Sequence, residues 1–133
     1  FRPTQCEVTY INHVAPCDIW QGHQDLAKVF TTWNAPGGAF LPGIEDGQFA
    51  MRFVIRDESG AMLGRLIVQV NPARLRKDDR AIFRMDLTAR GRPEGDGVDG
   101  VLKFLDRGHE WVVRAFAELT TPAMHRVWGR LDG

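Results

Sequence analysis

Serine is almost missing: Ser59 is the only one among the 133 residues, and it falls in the turn signal Asp57-Glu58-Ser59-Gly60. With no GxSxG nucleophile elbow either, a serine hydrolase is excluded. No GxGxxG follows a strand signal and no GxxxxGK precedes a Ser or Thr, so the common phosphate-cradling loops are missing. The two cysteines, Cys6 and Cys17, are too few for a disulfide framework. No secretory signal is visible, and reduced thiols in the cytoplasm are the expected state. No apolar run approaches the roughly 20 residues needed to span a bilayer. Neither sign of charge prevails, with 17 Lys and Arg against 17 Asp and Glu. A nucleic-acid binder generally carries a basic surplus.

What is there is a globular composition, 44% hydrophobic and 26% charged, in a length suited to one domain with one core. The charge is unevenly placed. Residues 51–95 hold ten basic groups, nine of them Arg, and six acidic ones, while residues 1–50 hold two and five. The chain begins at Phe1 rather than Met, which is read here as a sign that an N-terminal part is missing.

Residues 5–14 alternate as a strand, with Cys6, Val8, Tyr10 and Asn12 on one face and Glu7, Thr9, Ile11 and His13 on the other. Leu26, Val29, Phe30 and Trp33 predict a short helix over 23–33. The Gly- and Pro-dense stretch 34–47 reads as a loop. Residues 48–56 form the clearest strand, with Phe49, Met51, Phe53 and Ile55 alternating, and 61–70 return as its hairpin partner, closed by Asn71-Pro72. Residues 81–90 add a strand whose Arg84, Asp86, Thr88 and Arg90 share one face. A helix is predicted over 99–119 with Asp99 as N-cap, its apolar stripe being Val101, Leu105, Val112, Phe116 and Leu119, widened by Leu102 and Val113. Thr121-Pro122 opens a second short helix. The expected architecture is α+β: a mostly antiparallel four-stranded sheet in the order β-α-β-β-β-α-α, packed against a long C-terminal helix. It resembles a helix-grip arrangement.

Chemistry-bearing residues are sparse. Cys6, His13, Cys17 and His23 lie close in sequence, but their spacing matches no zinc finger or ribbon, and strand alternation sends Cys6 and His13 to opposite sides. No metal, cofactor or catalytic residue is expected. The row Arg84, Asp86, Thr88, Arg90 is either an exposed face with cross-strand pairs or the polar wall of a cavity or partner surface. Candidate ligand-binding residues are therefore Tyr10, Asn12, Arg84, Asp86 and Arg90. Candidate interface aromatics are Trp20, Phe40, Trp111 and Trp128, each beside a loop or flanking an apolar stripe; the four tryptophans are also core candidates.

Three stretches taken in order, VTYINHV at 8–14, DLTARG at 86–91 and FLDRGHEWVVRAFAELTTPAMHRVWGR at 104–130, resemble the C-terminal half of a family of uncharacterised, sporadically distributed bacterial proteins. The matching residues are Tyr10, Ile11 and Asn12, then Leu105, Asp106, His109, Phe116, Leu119, Thr120 and Trp128. The resemblance implies an absent N-terminal half and no reaction. The function expected is a non-enzymatic binding or interaction module that meets itself, a protein partner or the absent half. The alternative is a small-molecule-binding or enzymatic domain with a cavity between sheet and C-terminal helix. Neither membrane nor nucleic acid is an expected partner.

Overall fold

Alternation of apolar and polar residues at period two builds four strands: β1 (Cys6–Val14), β2 (Phe49–Arg56), β3 (Met62–Arg74) and β4 (Ala81–Gly91). The computed structural model describes residues 5–33 and 39–129, so Asn34–Gly38 of the expected loop lies outside the described residues. All three strand pairings are antiparallel, and the spatial order is β1-β4-β3-β2. Two helices follow, α2 (Gly97–Leu119) and α3 (Pro122–Gly129), and a 3-10 turn at His23–Asp25 leads into the four-residue α1 (Leu26–Val29). This is the α+β architecture expected.

The register gives the sheet two unlike faces. Val8, Ala89, Leu66 and Phe53 stand in one cross-strand row and Met51, Val68, Leu87 and Tyr10 in the next. This inner face takes the helices. Leu66, Val68, Val70, Phe83, Met85, Leu87 and Ala89 are buried in it, together with Trp20, Leu26, Phe30 and Phe104. Phe30 meets Phe49 and Phe83 edge-on, and Trp20 lies over Phe83 with ring centroids 4.7 Å apart.

Four local departures from the sequence reading have physical causes. The first helix ends at Val29 because Phe30 turns extended and bridges Thr120; Thr31 N–H donates to Leu119 O, and Thr121 N–H donates to Val29 O. β3 runs through Asn71-Pro72 to Arg74, because β2 stops opposite Val70 and leaves β3 with only β4 beside it there. A proline without an N–H is tolerated in such an edge position. The N-cap of α2 is Asp96 rather than Asp99.

The fourth departure is a rotation of α2. Its buried residues are Gly100, Phe104, Gly108, Val112 and Leu119, while Leu102 and Val113 are exposed and Leu105 and Phe116 half-buried. The cause is Gly108. A Cβ there would sit 3.0 Å from the Ala89 side chain and 3.4 Å from Val8, so the bare backbone lets the helix settle directly on β1 and β4. Helix and sheet are then in close contact, and side chains such as Phe104 and Val112 fill the seam.

Candidate functional site

The residues singled out from sequence fall on both sides of the sheet. Tyr10 and Asn12 stand on the inner face of β1, whereas Arg84, Asp86 and Arg90 stand on the outer face of β4. The sheet separates the two groups, so they do not converge on one cavity. What the fold does bring together is Tyr10 and His109, whose phenol oxygen and Nδ1 are hydrogen-bonded at the outer margin of the α2–β1 contact. Two motifs that are nearly a hundred residues apart thus meet side chain to side chain. Both residues are exposed, at the β1 edge of the sheet.

His109 also marks the flank of α2 that overhangs β1. Val98, Leu102, Leu105, Val113 and Phe116 follow at steps of three and four on that same flank. Val98 is 73% exposed and Leu102 52%. Below this row, β1 has β4 on one side only, so its other edge carries unpaired backbone groups among the described residues. Of the interface aromatics from sequence, Trp128 alone reaches this flank among the described residues, through Phe116. Trp20 is fully buried in the core, and its Nε1 finds no hydrogen-bond partner among the described residues. Trp111 is half-buried against the core, and Trp128 stacks on Phe116 with centroids 5.3 Å apart. Phe40 is 94% exposed, in the loop before β2.

The outer face is polar. Arg84 Nε donates to Asp86 Oδ1 at 2.9 Å along β4, and Arg90 reaches Glu7 of β1 at 2.7 Å. Such half-exposed pairs stabilise little. Sequence reading missed the arginines that join this row from the neighbouring strands: Arg65 of β3 stands opposite Arg90, and Arg52 of β2 stands opposite Ile67. The arginine excess of 51–95 was the available signal, but only the register shows that these share a face. With Arg92 they line an open groove of about 1390 Å³ that ends at Asp96 and Gly97, where α2 begins.

The wall of that groove is pinned from behind. Arg107 of α2 donates through Nε and Nη2 to both oxygens of Glu94, at 2.8 and 3.0 Å, and touches Glu58 in the β2–β3 turn at 3.3 Å. Glu94 is only 7% exposed, so this forked pair is the most enclosed in the molecule's described residues. Glu94 first, and Glu58 after it, hold the guanidinium protonated beyond its already high ordinary value.

Burial pushes the Cys6 thiol up, away from the thiolate that reacts. His23 Nε2 lies 3.0 Å from both Ala73 O and Ile82 O, so it carries the proton and tethers the first helical segment to the ends of β3 and β4. Among the described residues no three His, Cys, Asp or Glu side chains gather as a metal-binding group. No described helix is long and apolar enough to cross a membrane. Comparison with protein-family models, with curated proteins and with solved structures finds no match to this chain.

Proposed function

We propose that this domain is a non-enzymatic interaction module that pairs with a second copy of itself through the free edge of β1 and the overhanging flank of α2. The observation that carries the reading is the exposed apolar row Val98, Leu102 and Val113 on the helix flank whose His109 meets Tyr10 of β1, a strand with one edge unpaired among the described residues. A bare edge and an apolar strip side by side are two features that monomeric domains usually cover. Two-fold antiparallel pairing about Tyr10 is self-complementary in this sequence: Thr9 would face Ile11 of the other copy and Glu7 would face His13. The result is one eight-stranded sheet with two α2 helices side by side on its inner face. The resemblance to an uncharacterised bacterial family implies an N-terminal half, which would be a further partner for this module.

Sedimentation at micromolar concentration tests the reading. The expected result is a dimer that Leu102→Glu with Val113→Glu converts to monomer while the thermal midpoint of the separated chain stays within a few degrees. A monomeric parent chain, or a dimer indifferent to both charges, refutes it.

A further inference from the structure

The opposite side of the sheet carries a second, independent feature. Register sets Arg65 directly against Arg90, and Arg52 stands on the same face of the next strand. Strands lie about 4.8 Å apart and Arg52 sits two residues off the Arg65–Arg90 register, so the three side chains spring from a patch about 12 Å across. Like charges set opposite one another on a sheet are destabilising. Of the four groove arginines, Arg90 alone has a carboxylate partner among the described residues, and Asp96 is the one described carboxylate on the wall. Asp96, which lies on the groove wall, makes no side-chain capping bond to the first turn of α2. The Arg107–Glu94 fork and the bond from Glu94 N–H to Gly100 O hold this wall in place before any ligand arrives.

We infer that the groove binds a compact polyphosphate group, two or more phosphates in succession on a small molecule. Guanidinium forks match phosphate oxygens in shape and charge, and the patch is the size of a di- or triphosphate rather than of a polymer track. A nucleic-acid strand fits less well: the outer row of Glu7, Thr9, Ile11, Arg84, Asp86 and Thr88 offers no aromatic ring for a base to stack on. An acidic peptide supplies only one charge per residue, too dilute for so tight a cluster.

Titration calorimetry with tripolyphosphate as the probe, and ATP in parallel, decides the matter. Saturable one-to-one binding that weakens with salt is expected. Arg65→Gln and Arg52→Gln should each weaken it about tenfold or more, with Arg65→Gln as stable as the parent because its opposition to Arg90 is relieved. Arg114→Gln, on α2 beside Glu110, should bind like the parent. ATP binding more tightly than tripolyphosphate assigns the group to a nucleotide, and equal binding assigns it to the phosphates alone. Absent binding, equal loss in Arg114→Gln, or tighter binding of a thymidine oligomer or polyglutamate overturns the inference.

Discussion

Truncating Phe104 should unfold this domain far more easily than truncating Phe116, although both are aromatic residues on the same helix. Phe104 is fully buried, and its ring occupies the space over Gly91, where a Cβ would approach Phe104 Cε2 to 2.6 Å. Phe→Ala at such a site costs about 3–5 kcal/mol, of which the better helix propensity of Ala returns about 0.5 kcal/mol. Phe116 is half-buried and rests on Trp128, which can close over part of the gap, so about 1–2 kcal/mol is expected there. Urea denaturation followed by helical circular dichroism reads the difference. For a chain of this size each kcal/mol moves the thermal midpoint by about 3–5 °C. Phe104→Ala should therefore melt roughly 10–20 °C below the parent and Phe116→Ala less than about 10 °C below it. Equal losses, or a larger loss for Phe116→Ala, would refute the orientation of α2 derived from Gly108.

Two further outcomes follow from the ion pairs. Glu94→Gln leaves Arg107 enclosed with only the exposed Glu58 beside it; a loss of about 2 kcal/mol in denaturation is expected, and an unchanged midpoint would show that the fork contributes nothing. Asp25 is held below its ordinary carboxylate value, first by the Gln21 N–H at 3.0 Å and then by Lys28. Its contribution is full above the unfolded carboxylate value and is lost as pH falls through the lower folded one, below about pH 4. Asp25→Asn should thus be less stable at neutral pH and flatter in an acid titration, and parallel acid profiles would count against the bond.

Much of the sheet is legible in the sequence because period two is a short-range signal: Phe49, Met51, Phe53 and Ile55 declare their strand without help from the rest of the chain. The long helix is legible in extent but not in rotation. A stripe is read from its large residues, whereas α2 docks through Gly108, whose role lies in what it lacks; Leu102 and Val113 then read as core and prove exposed. The outer-face row Arg84 to Arg90 is visible from one strand alone. Its union with Arg52 and Arg65 depends on strand order, which no local pattern encodes. Tyr10 and His109 are each visible as motif residues, yet their contact needs the first strand to lie beside the last.

That same strand order shapes how the chain comes into being. Cys6 pairs with Gly91 and Val14 with Phe83, so β1 leaves the ribosome well before β4, the strand it pairs with. Contacts so distant along the chain are slow to close. During that wait the nascent Cys6–Val14 segment is a β-prone strand without its partner, a template for wrong pairing while the chain is still on the ribosome.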